Sequence, residues 1–254
     1  MPFTISHAAA VLPLHKWSKA RLPLAALMIG SMSPDFAFFL PGEREQSHSI
    51  AGLFWYCWPL SIVAWLLFVR VLEQPTLALL PRAWSTRFAA SDRDMTFRTL
   101  ALASVAVILG AVTHLIWDSF THRGTAVVEA IPMLNSVAFY FHGWRIRWFV
   151  VLQLLSSGLG AALLAFWAWR LAPGRHVRNA LPVVSHATRI SSVVFLVAVS
   201  SGSAITNYLL HPDSWFERRL FHFLIGAMSG WLVAWLAVAA AIGRHARSGT
   251  ATSS

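Results

Sequence analysis

The sequence predicts an all-α, polytopic transmembrane helix bundle, and two observations support this fold class. Of the 254 residues, 57% are hydrophobic and only 12% are charged, whereas soluble proteins carry about 25% charged residues. Several apolar runs extend for about 20 residues, the length that an α-helix needs to cross roughly 30 Å of hydrocarbon. We therefore expect the lipid bilayer to be the solvent of this chain.

Five predicted membrane helices follow one another along the chain. Each is bounded by Arg, Pro or Gly and carries almost no internal charge. They cover Leu53–Leu72, Leu100–Trp117, Trp148–Leu171, Ile190–Leu210 and Phe221–Ile242. We expect one integral membrane domain over residues 1–247, followed by a disordered tail of small and polar residues at 248–254.

A sixth apolar segment, Leu22–Leu40, contains Pro23, Pro34 and Asp35. It spans the membrane, re-enters it or lies against the other helices, because irregular backbone is tolerated at membrane depth only where protein or water covers it. A cleavable signal peptide is the alternative, since basic residues precede the segment. These charges come unusually late and no clean Ala-x-Ala site follows, which disfavours cleavage.

The formal charge is +10, from 20 basic and 10 acidic residues. The arginines stand mainly at the ends of apolar segments, where they reach the headgroups, so nucleic-acid binding is not expected. The positive-inside rule places loops 82–98 and 175–189 and tail 244–247 in the cytoplasm, and loops 119–147 and 211–220 in the periplasm. This predicts a multi-pass protein of the bacterial inner membrane with membrane lipids as partners. Its oligomeric state is left open.

Small residues and the single cysteine have structural interpretations. Gly226-x3-Gly230 and the Ser156–Gly160 run predict close packing between helices. The polar run Ser200–Asn207 favours packing too, and the lining of a cavity or substrate path is its alternative. Cys57 lies in an apolar run, where it fills space in the core or faces lipid. With one cysteine, an intramolecular disulfide and a cysteine-based zinc site are excluded.

Ionisable residues inside a membrane are costly and therefore mark candidate functional sites. His114 and Asp118 are four residues apart on one predicted helix, so their side chains project from the same face about 5 to 6 Å apart. His122 extends this stripe by one more turn. The spacing suits ligands of a shared metal ion.

Three earlier residues add to this stripe. Asp35 follows a proline that is expected to break the helix, and His48 precedes the first predicted span, on the same side of the membrane as His122. His7 lies in the opening run M-P-F-T-I-S-H. A spanning Leu22–Leu40 segment would place His7 on the opposite side, so its membership depends on that segment.

Imidazole and carboxylate ligands suit a divalent metal, and we expect zinc, with manganese and iron as alternatives. A metal-bound water held by Asp35 and Asp118 would provide hydroxide at neutral pH, which favours a hydrolase acting on an ester or phosphoester in a lipid or lipid-linked substrate. Guanidinium pairs could receive a phosphate group, and the candidates are Arg145, Arg147, Arg218 and Arg219. Two other functions stay open: the cluster pins a non-catalytic fold, or it relays protons or ions in a transporter.

The motifs that carry these residues resemble those of an uncharacterised bacterial membrane family, domain-of-unknown-function family 4184. The matching runs are M-P-F-T-x-S-H, G-S-M-S-P-D-F, S-H-S and H-L-I-W-D-S-F-T-H. More distantly, the order His, Pro-Asp, His, His-x3-Asp and His is similar to that of zinc-dependent phospholipase C and of membrane-bound metal-dependent hydrolases.

The distant resemblance implies specific roles for these residues. One metal would be held by Asp35, His48, His114 and Asp118. His7 would share Asp118 with a second metal, and His122 would begin a third site. The soluble enzymes end with a further His-x3-Glu that this sequence lacks, and His211 and His222 are candidate substitutes.

Overall fold

The computed structural model describes residues 4–40, 43–88, 91, 94–141, 143–171, 184–212 and 216–251, with the backbone alone at residues 82, 216–218 and 245–251. The chain divides into two compact units. The first unit is Met1–Leu66 with Asp94–Leu171, and the second is Leu67–Arg93 with Ala172–Ser254. The expectation of a single domain over residues 1–247 stays a prediction. Arg93, Arg175, Arg178 and the side chain of Arg218 lie outside the described part of the chain.

The predicted five spans are confirmed. The helices long and apolar enough to cross a membrane are Ile50–Leu79, Phe97–Ala130, Trp148–Arg170, His186–Leu209 and Arg219–Arg244. Large apolar side chains stand exposed along them, as Leu154, Leu159 and Leu163 do on the third span. Such surfaces are unfavourable in water and are stable in hydrocarbon, so the all-α membrane bundle follows from composition and packing together.

Helices make up nearly all of the described structure. In chain order they are a 3₁₀ helix at Thr4–Val11, α1 Leu12–Trp17, α2 Leu24–Met32, a 3₁₀ helix at Ser33–Phe38, α3 Arg44–Ser47, α4 Ile50–Gly52, a π-helical turn at Leu53–Cys57, α5 Trp58–Leu67, a π-helical turn at Phe68–Leu72, α6 Glu73–Leu79, α7 Arg82–Ser85, α8 Phe97–Thr121, α9 Ala126–Ala130, α10 Pro132–Asn135, α11 Trp148–Arg170, α12 His186–Leu209 and α13 Phe216–Ala251.

The N-terminal segment forms a helical hairpin in the first unit. One leg is Thr4–Trp17, and the other is the apolar helix Leu24–Phe38, which is shorter than the five spans. At the turn Lys19 has a φ of 51°, and Nδ1 of His15 lies 2.9 Å from the carbonyl oxygen of Leu22. Because a helical leg also precedes Leu22, the chain returns before Asp35, and His7 does not have to lie on the far side.

Glycines let this hairpin approach α8 closely. A Cβ atom on Gly30 would collide with the backbone carbonyl of Val107, and one on Gly110 would collide with the carbonyl of Leu27. Leu27 and Ser31 are fully buried at this contact. Close backbone contact through small residues is a common way for helices to associate in lipid, and here it places the hairpin beside the polar stripe of α8.

The prediction of a simple loop at 119–147 was incomplete. After α8 the chain forms α9 and α10, and then two antiparallel strands, β1 (Val137–Phe141) and β2 (Trp144–Arg147). Gly143 has a φ of 81° at the turn, a conformation that residues with a Cβ adopt at a cost. The aromatic side chains of Phe139 and Tyr140 are exposed on this hairpin. It leads directly into α11, the third span.

In the second unit, α12 and α13 pack through small residues, which confirms the prediction for Gly226 and Gly230. A Cβ on Gly230 would meet Ser203 and Val199, and the hydroxyl of Ser200 donates to the carbonyl of Ala227 at 2.8 Å. The polar run of α12 therefore serves packing at this point, as expected. Helix α13 continues to Ala251, and disorder in the tail stays a prediction.

The small-residue run of α11 and Cys57 give mixed outcomes in the first unit. Gly160 packs against Ser6, as predicted, but a Cβ on Gly158 would meet nothing within 4 Å, so that glycine is not a packing contact. Cys57 is buried, and its Sγ lies 3.4 Å from the carbonyl oxygen of Ser47. The cysteine is a core residue.

Candidate metal centre

The first unit brings all six predicted ligands together at one end of α8. His114 and Asp118 lie on successive turns of that helix, and His122 directly follows its last residue. The other three come from the 3₁₀ helix at Thr4–Val11, from the 3₁₀ helix at Ser33–Phe38 and from the residue after α3, and they are His7, Asp35 and His48. These three residues, half of the cluster, therefore come from segments outside regular α-helix.

Asp118 is the centre of the cluster, and its two carboxylate oxygens face different histidines. The Oδ2 atom lies 3.4 Å from Nε2 of His114 and 3.5 Å from Nε2 of His48. The Oδ1 atom lies 3.6 Å from Nε2 of His7 and 3.3 Å from Nδ1 of His122. One carboxylate can therefore bridge two cation positions.

Asp35 faces the same two histidines as Oδ2 of Asp118. Its Oδ1 atom lies 3.6 Å from Nε2 of His48 and 3.8 Å from Nε2 of His114. Two groups of three residues have ligand atoms within 4.8 Å of one another, namely His7–His114–Asp118 and Asp35–His48–His114. Two ligands of a tetrahedral zinc ion, each bonded at 2.0–2.1 Å, are about 3.3 Å apart, close to the shorter of these separations.

Backbone carbonyls fix the ring orientation of two histidines. Nδ1 of His114 donates to the carbonyl of Ser31 at 2.7 Å, and Nδ1 of His48 lies 3.0 Å from the carbonyl oxygen of Arg44. In a neutral imidazole the proton then resides on Nδ1, which leaves a lone pair on Nε2 directed at the carboxylates. This is how outer contacts orient metal-binding histidines.

Several ligand atoms are buried without a hydrogen-bond partner. They are Nε2 of His48, Nε2 of His114, Oδ1 of Asp35 and Oδ1 of Asp118. Buried polar atoms are nearly always paired, and those left unpaired call for an explanation. If these imidazoles are neutral, lone pairs of nitrogen and oxygen face one another across a gap of metal-ligand size, an arrangement that a bound cation would stabilise.

The remaining oxygen of Asp35 is held by the N-terminal leg. The hydroxyl of Thr4 donates to Oδ2 of Asp35 at 2.8 Å, and both residues are buried. Ser47 donates to the carbonyl of Pro34 at 2.8 Å, which ties the His48 segment to the Asp35 segment. These bonds fix ligands from three chain segments relative to one another.

His122 makes a different set of contacts. Its Nε2 lies 3.0 Å from Nε2 of Gln153 on α11, and its Nδ1 lies 3.2 Å from the hydroxyl of Thr121. With the Gln153 amide in this orientation, the amide donates to Nε2, and the proton on Nδ1 points toward Asp118. Rotating the amide by 180° makes its oxygen the acceptor and frees Nδ1 as a ligand.

His7 is neutral at physiological pH. Burial, reinforced by the neighbouring His114 ring, lowers the pKa of His7 to about 3. The two rings stack with centroids 3.9 Å apart. A neutral imidazole has a lone pair available for a metal without first losing a proton.

Exposure increases from one side of the cluster to the other. The side chains of His114 and Asp35 are 0% and 2% exposed, whereas those of His7, His48 and His122 are 13%, 14% and 16% exposed. Arg44, at 41%, is the most open, and its Nη2 lies 3.3 Å from Oδ2 of Asp118. The cluster is therefore closed to solvent at His114 and Asp35 and open at Arg44, and we call this open side the mouth.

The sequence reasoning missed the residues that support the ligands. Each of these residues lies in a motif quoted for a predicted ligand: Thr4 in that of His7, Ser31 in that of Asp35 and Ser47 in that of His48. Hydroxyl residues close to predicted ligands were therefore the available signal. Gln153 and Arg44 have no such pattern. Only the fold brings them to the cluster.

Other predicted residues lie elsewhere or have other partners. In the second unit the rings of His211 and His222 stack with centroids 3.6 Å apart, and their use as ligands stays a prediction. Arg147 donates to the backbone carbonyl of Asn135 at 2.9 Å. Arg219 lies over the ring of Tyr208, 3.9 Å from its centroid. Phosphate binding by these arginines also stays a prediction.

The fold and the cluster define a multi-pass α-helical membrane protein with a His/Asp group that could hold a metal ion. The chain belongs to the family described as Domain of unknown function (DUF4184), which matches residues 1–240. No match was found among curated proteins or solved structures. Assignment of a reaction therefore depends on the chemistry of the site.

Proposed function

We propose that this protein is a membrane-embedded, metal-dependent hydrolase that cleaves an ester or phosphoester at the periplasmic face of the bacterial inner membrane. The observation that carries the proposal is the orientation of His48 and His114. Both rings direct Nε2 at carboxylate oxygens while Nδ1 faces a backbone carbonyl. Acceptor atoms converge in this way when a cation lies between them.

The geometry favours a metal over a structural pin. An ion-paired pin would be held by charge-assisted hydrogen bonds of about 2.7 to 2.9 Å between nitrogen and oxygen. The histidine–aspartate separations are 3.3 to 3.8 Å, which fits ligands that share an ion better than atoms that share a proton. Burying two carboxylates is also costly unless a cation compensates them.

The open side of the cluster favours catalysis over a structural metal. Structural sites are closed by protein ligands, whereas catalytic sites keep a position for water or substrate. A divalent ion held by these residues would lower the pKa of a bound water toward neutrality and polarise a substrate oxygen. Asp35, His48, His114 and Asp118 would hold this ion, with His7 and His122 on the second face of Asp118.

Zinc is the expected ion because it binds imidazole and carboxylate donors, and a fifth coordination position beside the four protein ligands would take the water; manganese or iron would use the same donors. The test is elemental analysis of detergent-purified protein beside a His114→Ala/Asp118→Ala double variant. We expect about one or two metal atoms per chain, since Asp118 can bridge two positions, and we expect loss of this metal together with ester or phosphoester hydrolysis in the variant. Wild-type protein without stoichiometric metal would instead favour the pin or the ion relay.

A further inference from the structure

Arg44 is an unexpected neighbour for a metal centre. Its Nη2 atom lies 3.3 Å from Oδ2 of Asp118, the oxygen that also faces His48 and His114. Any ion bound by that oxygen would lie close to the guanidinium. Two positive charges at such short range repel each other, and the repulsion is relieved when a negatively charged group binds between them.

The fold holds Arg44 in place at the mouth. Arg44 begins α3, and its carbonyl oxygen lies 3.0 Å from the Ser47 hydroxyl oxygen and 3.0 Å from Nδ1 of His48. The backbone of Arg44 therefore orients a predicted ligand, while its side chain covers the open side of the cluster. A guanidinium has five N–H donors in a planar fork, and one of them points at Asp118 here.

From this arrangement we infer that Arg44 binds the phosphoryl group of an anionic substrate, so that the reaction is phosphoester hydrolysis and not carboxylic ester hydrolysis. The inference rests on the proposed hydrolase function. Fork-shaped guanidinium pairs well with two phosphate oxygens, and positive groups stabilise the charge that develops on phosphoryl oxygens during transfer. A neutral carboxylic ester offers no matching anion.

The proposed step balances with water as the second reactant. The oxygen of water forms a new bond to phosphorus, the ester P–O bond breaks, and the released alcohol oxygen takes up a proton. The products are an alcohol and a phosphate group with one ester bond fewer. Arg44 holds two of the phosphoryl oxygens throughout, and no bond to Arg44 forms or breaks.

The test compares Arg44→Gln with Arg123→Gln, because each change removes one positive charge. Arg123 is exposed one position beyond His122, so it controls for the general positive potential. Zinc-loaded proteins are assayed with p-nitrophenyl phosphate and p-nitrophenyl acetate, which share a leaving group, and with inorganic phosphate as the binding probe. We expect Arg44→Gln to weaken phosphate binding and phosphate-ester turnover by about 10-fold or more, with a smaller effect on the acetate.

The outcomes separate the two proposals. Two results at full zinc content would overturn the role of Arg44 and leave the hydrolase proposal standing. In the first, Arg44→Gln and Arg123→Gln weaken phosphate binding and phosphate-ester turnover equally. In the second, Arg44→Gln lowers turnover of the phosphate ester and of the acetate equally. Absence of any stoichiometric zinc, manganese or iron from the wild type would overturn both. Parallel assays with a monomeric short-chain phosphatidate and with a long-chain phosphatidate in mixed micelles identify whether the phosphoester comes from solution or from the bilayer, and Arg44 dependence in either one supports the inference.

Discussion

Nε2 of His114 lies 3.4 Å from Oδ2 of Asp118, one turn further along α8, while Nδ1 of the same ring bonds to the carbonyl of Ser31 on α2. The helix spacing brings the nitrogen and the carboxylate together, and the packing of a second helix sets the ring's orientation. The geometry of the cluster therefore depends both on the ligand side chains and on the contact between α2 and α8.

Replacing Asp118 with Asn should remove metal from both faces of the cluster. Asparagine keeps the shape of the side chain but loses the charge that offsets a divalent cation. We expect metal content to fall by at least half, as measured by elemental analysis of purified protein. Glu129→Gln removes an exposed acid from α9 and should leave metal content unchanged. Equal metal content in Asp118→Asn and wild type would rule out Asp118 as a bridging ligand.

Replacing Thr4 with Val should weaken metal binding without removing a ligand. Valine has nearly the same shape but cannot donate to Oδ2 of Asp35, which the Thr4 hydroxyl reaches at 2.8 Å. Loss of such an outer contact costs about 10- to 100-fold in metal affinity. The measurement is competition with a chromophoric chelator.

Thr113→Val is the matched control for Thr4→Val. Thr113 donates only to the carbonyl of Gly110 within its own helix, at 2.7 Å. This variant should bind metal as the wild type does. If both variants bind as tightly as wild type, the Thr4–Asp35 bond has no role in positioning the ligand.

Replacing Gly30 with Ala should separate α2 from α8. The added Cβ would collide with the carbonyl of Val107, and overpacking of this kind typically costs about 1 to 3 kcal/mol. We expect a lower melting temperature and weaker metal binding, because Asp35 is carried by the segment that must shift. Gly158→Ala adds the same methyl group in the interior of α11 where nothing lies within 4 Å, and it should lower neither quantity.

The sidedness of the N-terminal hairpin can be tested by thiol labelling in a Cys57→Ser background. Lys19 is exposed at the turn of the hairpin, and Glu45 is exposed on α3 beside the metal centre. The positive-inside rule places the basic turn in the cytoplasm. A membrane-impermeant thiol reagent should label Glu45→Cys in intact spheroplasts and label Lys19→Cys only after permeabilisation. Labelling of both from outside would instead place the basic turn on the same side of the membrane as the metal centre.

Much of the fold was accessible from the sequence because the bilayer imposes a simple requirement on it. A crossing helix must be about 20 residues long and apolar, so Trp148 and its apolar successors could be recognised without knowledge of their contacts. Asp35, His114 and Asp118 were found by the same logic, since ionisable residues are rare in such segments. Their role in binding metal awaits measurement.

The remainder depended on contacts between distant parts of the chain. The helical leg before Leu22 contains Lys16 and is too short to register as a span, so the hairpin that returns His7 to the cluster could not be recognised from hydropathy. The β-hairpin of β1 and β2 was not predicted, because its residues lie within the predicted loop 119–147. Arg44 reaches Asp118 from 74 positions away, and nothing in its local sequence predicts that contact.

All six candidate ligands precede residue 123 in a chain that is made from its N-terminus. The ribosome has therefore emitted the complete ligand set before it completes the last two spans. If the cluster binds metal as proposed, the supply of metal during synthesis, and not only in the mature membrane, influences how the first unit folds. Cells starved of that metal during translation would be expected to degrade newly made chains, while chains inserted earlier would keep their ion.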